Sequence, residues 1–242
     1  MNLLDKIDFS KPEEIALTRQ NTLRIVVGLL GIDLPVLLYL FLRLDTGYAR
    51  PLESISHYYF TRVGGIFVIV VSLLAIFLMI YKGNNKLDFI LSTLAGVCAL
   101  LLVLFPTSNL DLPPESRAVS VTKLKESDFR VGFHYVSAAI FLLSLAALSI
   151  FVFTQPDDPN HPGVLPTPQK RTRNVFFVGC GIVMVGALVI AFLQVFELEV
   201  FGESTTFWME TVAVVSFGFS WLVKAQVFFK DKNQMPSLAP AQ

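Results

Sequence analysis

The chain has 242 residues, of which 54% are hydrophobic and only 16% are charged, and its mean hydropathy is +0.63. An ordinary soluble domain carries about 25% charged residues. The 19 basic and 19 acidic residues balance to a net charge of zero, which argues against the basic surface of a nucleic-acid-binding protein. We therefore expect no nucleic-acid partner.

Apolar runs of helix length recur six times along the chain. About 20 helical residues, rising 1.5 Å each, cross the roughly 30 Å hydrocarbon layer of a bilayer. None of the runs alternates as a barrel strand does. The sequence therefore predicts an all-α polytopic membrane protein, a bundle of six transmembrane helices in a lipid bilayer. The predicted spans are 23–42, 63–81, 87–105, 132–153, 174–196 and 207–229.

The ends of the chain and its basic residues predict the orientation. Residues 1–22 form a polar N-terminal segment, in which Ser10-Lys11-Pro12-Glu13 is typical of a helix start. The transmembrane domain occupies residues 23–230, and we expect 231–242 to be a disordered tail. Twelve Lys and Arg residues fall on the side of the termini and seven on the other side. The positive-inside rule thus predicts a multi-pass protein of the cell (inner or plasma) membrane with both termini cytoplasmic.

An acidic residue interrupts the first span. Asp33 lies near its middle, in Gly31-Ile32-Asp33-Leu34-Pro35. A carboxylate at that depth is costly and is by default a functional hypothesis. It could bind a proton or cation, or it could be a protonated acid that hydrogen-bonds another helix, with a serine or threonine of the second or third span as partner. The sequence leaves both open.

The first outer connector is unusually rich in functional side chains. Its stretch SISHYYFTR, residues 54–62, combines serines, a histidine, tyrosines and an arginine. Histidine and arginine side chains recur at the outer end of the fourth span, and a glutamate lies at the outer end of the sixth. We expect a polar pocket on this outer face that binds a lipid headgroup or small amphiphile. The candidate ligand-binding residues are His57, Tyr58, Tyr59, Arg62, Arg130, His134 and Glu210.

Simpler explanations and other chemistries also fit these residues. Tyrosines at a membrane interface are often only anchors, because their rings are apolar and their tips polar. His57, His134 and Glu210 are weak candidates for a metal site, since none of them shows H-x-x-x-H or H-E-x-x-H spacing. A serine hydrolase based on Ser54 or Ser56 would need a base, and His57 is adjacent in sequence, but side-chain geometry is undetermined at this stage.

Three functions therefore remain. The favoured one is binding or sensing of a lipid or small amphiphile at the outer pocket. The second is a membrane-embedded lipid hydrolase or transferase that uses His57, His134 and Glu210, and it could be metal-dependent. The third is a proton-coupled transporter centred on Asp33. The sequence identifies no cofactor and no oligomeric state.

Several stretches together resemble a group of bacterial six-span membrane proteins. The stretches are Ser54-Ile55-Ser56-His57-Tyr58-Tyr59, Ile90-Leu91-Ser92, Leu104-Phe105-Pro106-Thr107, His134-Tyr135-Val136-Ser137-Ala138 and Phe217-Gly218-Phe219-Ser220-Trp221-Leu222-Val223-Lys224. That group is uncharacterised, so the resemblance implies the six-span fold and no activity. A more distant comparison is the superfamily that includes alkaline ceramidases, which hold zinc with three histidines. The sixth span here contains no histidine, so the comparison does not extend to the zinc site.

Overall fold

All six predicted spans are helices in the computed structural model, which describes residues 20–112, 119–156, 166–195, 202 and 204–231. The proposed N-terminal helix start and most of the tail lie outside these described residues. The helices are α1 (Gln20–Thr46), α2 (Gly64–Ile80), α3 (Lys86–Leu104), α4 (Asp128–Ala147), α5 (Pro168–Val195) and α6 (Thr205–Lys224). A single turn of π-helix, Leu148–Val152, continues α4.

The length and composition of these helices fit a bilayer. Five of them are long and apolar enough to cross a membrane, and α2 is a shorter apolar helix of 17 residues, or about 25 Å. Many large apolar side chains are exposed on the outside of the bundle, such as Val36 at 55% and Ile69 at 60%. Such a surface is costly in water and suits lipid. The prediction of a helical membrane bundle is confirmed.

The helices form a closed ring in sequence order. Each helix packs against the next, and α6 returns to pack against α1. The α2–α3 connection is a tight turn around Gly83, whose φ of +66° is a conformation that glycine adopts without strain. Asn85 caps α3 by accepting a hydrogen bond from the backbone N–H of Asp88. Helices α2 and α3 therefore form an antiparallel hairpin.

Small residues set the distance between two pairs of helices. A Cβ on Gly28 of α1 would lie 2.8 Å from the carbonyl oxygen of Gly218, and one on Gly218 would lie 2.5 Å from that of Gly28. In α5, a Cβ on Gly181 would lie 2.2 Å from the side chain of Ile150. These glycines are where the helix backbones approach closely, as small residues allow in membranes.

Four helix boundaries differ from the prediction by four residues or more. α1 continues to Thr46 rather than ending at 42, and α5 begins at Pro168 rather than at 174. α4 begins at Asp128 rather than at 132, because the Ser127 hydroxyl accepts from the backbone N–H of Arg130 and starts the helix earlier. α6 ends at Lys224 rather than near 229, and Gln226 and Phe229 have positive φ angles of 57° and 55°. The guanidinium of Arg173 donates to the carbonyl of Phe229 at 2.9 Å, which holds this turned segment against α5.

Candidate functional site

The stretch 54–60 forms a short 3-10 helix, Ile55–Phe60, which we call the plug helix because it is buried in one end of the bundle. Ser54 caps it by accepting from the backbone N–H of His57. We call this end of the bundle the histidine end, since His57 and His134 both lie there, and the opposite end the lysine end, after Lys170 and Lys224.

Backbone hydrogen bonds from three directions hold the plug helix and its flanks. The carboxylate of Glu210 accepts from the N–H of Ile55 at 2.6 Å. The N–H of Phe207 donates to the carbonyl of Glu53 at 2.8 Å, and that of Val121 donates to the carbonyl of Phe60 at 2.9 Å. The plug helix is therefore tied to α6 and to the long α3–α4 connector.

His134 of α4 is bonded at both ring nitrogens. Its Nδ1 lies 2.9 Å from the carbonyl oxygen of Phe105, and its Nε2 lies 3.1 Å from the hydroxyl of Ser56. The His134 side chain is almost fully buried, with 2% of its surface exposed. The pair links the plug helix directly to α4.

His57 makes a second serine contact at the same end. Its Nδ1 is 2.8 Å from the hydroxyl of Ser54, and its Nε2 is 3.4 Å from that of Ser108. The Glu53 carboxylate lies 3.6 Å from Nε2 but is half exposed to solvent. Burial first, and the neighbouring His134 second, lower the pKa of His57 to about 4, so the ring is neutral at physiological pH.

The two tyrosines of the candidate list occupy different environments. Tyr58 is completely buried and packs its ring on Phe207 at 5.8 Å between centroids. Burial raises the pKa of its hydroxyl well above the usual value. Tyr59 is partly buried and contacts Phe67 edge to face. The interfacial-anchor explanation therefore does not apply to Tyr58, whereas Tyr135 and Trp208, both about half exposed, have the exposure that an interface belt requires.

The two arginines do not join the histidines. Arg62 is exposed and pairs with Asp45 across 3.7 Å. Arg130 directs its guanidinium at backbone carbonyls of the α3–α4 connector, with 3.0 Å to Pro106 and 2.7 Å to Lys125. Arg130 thus positions that connector, and neither guanidinium faces the group around Ser56.

An apolar cavity of about 50 Å³ lies directly beneath the plug helix. Its polar wall consists of Ser56 and Glu210. Residues of the plug helix and of the five helices α1, α2, α3, α4 and α6 make up the apolar remainder. These lining residues are Gly31, Leu34, Ile55, Phe67, Val71, Leu74, Leu102, Ala138, Phe141, Leu142 and Val214.

Asp33 lies elsewhere. It does not line the cavity, and its side chain is on the exposed side of α1. The serines and threonine that the sequence suggested as partners lie on other helices, and Ser92 is occupied by the carbonyls of Tyr81 and Phe89. Among the described residues, Asp33 makes no hydrogen bond to another helix, which the protonated-acid interpretation required.

A group of three or more His, Cys, Asp or Glu side chains suited to a metal ion does not occur in the part of the chain that the structure describes. His57 and His134 lie close together, but their ring nitrogens meet hydroxyl and carbonyl oxygens instead of converging with Glu210 on one point. The geometry offers hydrogen bonding and proton transfer in place of metal coordination.

The lysine end holds a buried charged cluster that the sequence did not suggest as a site. Arg24 donates to the Tyr81 hydroxyl at 3.1 Å, and that hydroxyl lies 3.4 Å from Asp88. Burial raises the pKa of Tyr81 to about 12. Lys224 places its ammonium over the Phe153 ring at 5.7 Å. The sequence counted Arg24 and Lys224 only among the basic residues on the side of the termini, and it did not single out Tyr81 or Asp88.

No family model, no curated protein and no solved structure matches this chain. The fold and this geometry define a helical integral membrane protein with a polar group and an apolar cavity at its histidine end.

Proposed function

We propose that the protein binds a small amphiphile or lipid at the histidine end of the bundle, and that this end is on the outer face of the cell membrane, as the distribution of Lys and Arg predicts. One observation carries the proposal: the cavity beneath the plug helix is apolar except for Ser56 and Glu210 on its wall. The volume of about 50 Å³ holds only a short apolar group, so an amphiphile would place the first carbons of its chain in the cavity and its head at the two polar side chains.

The chemistry of the wall suggests the kind of head. Phosphate recognition usually employs arginine or lysine, but Arg62 faces Asp45 and Arg130 faces backbone carbonyls. Ser56 and Glu210 instead offer a hydroxyl and a carboxyl group. A head that carries hydroxyl or ester groups suits them better than a phosphate does, which sharpens the headgroup pocket expected from the sequence.

The other two functions receive less support. A transporter centred on Asp33 needs a polar path through the bundle, but Asp33 is on the exposed side of α1. A metal-dependent hydrolase needs converging ligands, and the described histidines contact hydroxyl and carbonyl oxygens. Membership of the six-span bacterial group stays a proposal that rests on the quoted stretches.

The test is retention of an amphiphile by purified protein. Val71 lines the cavity and is 4% exposed, so Val71→Phe fills the space from one wall. Val189 of α5 is 52% exposed to lipid, and Val189→Phe adds the same volume far from the cavity. Native mass spectrometry from mild detergent should show bound amphiphile in the wild type and in Val189→Phe, and an occupancy at least ~10-fold lower in Val71→Phe, because the apolar space is gone.

Two outcomes contradict the proposal. One is equal occupancy in all three proteins, and the other is a folded wild type that holds no amphiphile even after incubation with a monoacylglycerol. If size-exclusion chromatography shows that Val71→Phe is aggregated, Ala138→Leu fills the same cavity from α4 and takes its place.

A further inference from the structure

We infer that Ser56 and His134 form a nucleophile–base pair that cleaves a carboxylic ester in the amphiphile bound beneath the plug helix. The inference rests on the proposed function, and it names an activity for the same site. Neither residue is near the other in sequence, because Ser56 belongs to the plug helix and His134 to α4.

The hydrogen bonds of His134 determine its tautomer. The carbonyl oxygen of Phe105, 2.9 Å from Nδ1, can only accept, so Nδ1 must carry the proton. In a neutral imidazole Nε2 is then an acceptor, and the Ser56 hydroxyl 3.1 Å away donates to it. A serine that donates to a histidine, which is itself held by an acceptor on its other nitrogen, is the arrangement of an activated nucleophile.

The second serine–histidine contact lacks these features. The hydroxyl of Ser54 accepts the backbone N–H of His57 as a helix cap, so it already has a structural role. His57 contacts hydroxyls on both ring nitrogens, which leaves its tautomer unspecified. Ser54 also does not line the cavity, whereas Ser56 does. Ser54 and His57 therefore serve as an internal control for Ser56 and His134.

The reaction balances with water as the only co-reactant. Ser56 Oγ attacks the ester carbonyl carbon while His134 Nε2 takes the hydroxyl proton. The carbon–oxygen bond to the alcohol then breaks, and His134 returns the proton to the leaving alkoxide, which gives an acyl-Ser56 and a free alcohol. A water molecule, activated by the same Nε2, attacks the acyl group and releases a carboxylic acid and the free serine. Phe105 contributes as a positioning residue through its carbonyl.

The location of the pair suits an ester of an amphiphile. Ser56 lines the apolar cavity and also contacts His134, so it lies where the apolar and polar surroundings meet. An amphiphile with the first carbons of its chain in the cavity would place its ester at this boundary. Glu210 lines the same wall, and one of its oxygens is already occupied by the N–H of Ile55. Glu210 therefore fixes the plug helix that carries Ser56.

The experiment is covalent labelling with a dodecyl fluorophosphonate, in which the serine oxygen displaces fluoride from phosphorus. Peptide mapping by mass spectrometry locates the adduct in full-length protein in detergent. The wild type should be labelled at Ser56, and Ser56→Ala should lose the adduct. Ser54→Gly, which removes the second hydroxyl at little cost to the helix cap, should be labelled at a rate within about 2-fold of wild type. His134→Gln should label at least ~100-fold more slowly, because general-base assistance is lost.

The wild type alone can overturn the inference. A folded wild type that forms no adduct, or one labelled at a serine other than Ser56, contradicts it, as does an unchanged rate in folded His134→Gln. Hydrolysis of p-nitrophenyl laurate that survives in Ser56→Ala also contradicts it. If the protein retains an amphiphile but is not labelled, the proposed binding function stands and the esterase activity is ruled out. If Ser56 is labelled but no amphiphile is retained, the reactive pair stands and the proposed binding function is ruled out.

Discussion

At the scale of single residues, His57 is a buried, neutral histidine whose nearest partners are two hydroxyl groups. The groups that face it are the hydroxyls of Ser54 and Ser108, the ring of His134 and the half-exposed carboxylate of Glu53. The folded protein lowers the pKa of His57 to about 4 from an ordinary value of 6.5, so between these values the unfolded chain binds more protons. The stability contributed by a neutral His57 is therefore present above pH 6.5 and is lost as the pH falls towards 4.

This linkage predicts acid sensitivity. The free energy of unfolding in detergent should fall by about 2 kcal/mol between pH 7.5 and pH 5 through His57 alone. The amide of His57→Asn can still hydrogen-bond one of the two hydroxyls, but it does not titrate. In this variant the fall in the free energy of unfolding between pH 7.5 and pH 5 should be smaller by about 2 kcal/mol. Denaturant titrations at each pH measure it, and identical pH profiles for both proteins would rule the linkage out.

At the scale of elements, the sequence predicted the helices better than their ends. The spans α2 and α3 lie within one residue of the predicted 63–81 and 87–105, because Val63 and Asn85 are followed at once by uninterrupted helix. The end of α6 was placed about five residues too late. The apolar residues continue to Phe229, which made the sequence extend the helix too far. In the structure the carbonyl of Phe229 accepts from Arg173 of α5, a contact with another helix that the sequence does not reveal.

Close helix contacts also belong to this scale. Glycines in α5 and α6 are typical of close helix packing, but the sequence could not separate Gly181 and Gly218, which lie at such contacts, from Gly179 and Gly186, where an added Cβ has nothing within 4 Å. The difference lies in which face of α5 each glycine occupies relative to α4. Gly28 of α1 lies opposite Gly218, whose added Cβ would lie 2.5 Å from the Gly28 carbonyl oxygen.

Substituting two helical glycines tests this packing. Gly28→Val should lower the stability of the protein by about 1–3 kcal/mol, because a Cβ there would lie 2.8 Å from a backbone oxygen that cannot move freely. Gly179→Val, with open space around the Cβ, should cost at most a few tenths of a kcal/mol. Unfolding in mixed micelles measures both, and similar losses in the two variants would show that the α1–α6 contact is not tight.

At the scale of the whole molecule, the ring places α1 beside α6 and brings three distant segments to one end. Residues 51–60, the α3–α4 connector and the start of α6 meet there through the bonds to the plug helix. Predicted topology already placed these segments on one face of the membrane. The contacts between the three segments depend on how the helices close the ring. Because the pocket is part of that ring, the side of the membrane on which it lies depends on the orientation of the whole bundle.

Thiol labelling in intact cells checks that orientation. Cys98 and Cys180 are buried, so they leave a low background. Lys123 at the histidine end and Lys82 at the lysine end are both exposed, and each can be changed to cysteine with the same loss of charge. A membrane-impermeant maleimide should label Lys123→Cys in intact cells and Lys82→Cys only after lysis. The reverse pattern would place the pocket in the cytoplasm.

The sequence by itself determined that the protein spans a membrane with six helices, because a hydrocarbon layer demands long apolar segments whose backbone bonds are satisfied locally. It also marked Ser56, His57, His134 and Glu210 as unusual. Only the tertiary structure decided which of them meet. The histidine that contacts Ser56 is His134, and not the neighbouring His57. Glu210 accepts from the N–H of Ile55, and both arginines contact other partners. Span length is a local property of the chain, whereas a hydrogen bond between the plug helix and α4 depends on how all six helices close their ring.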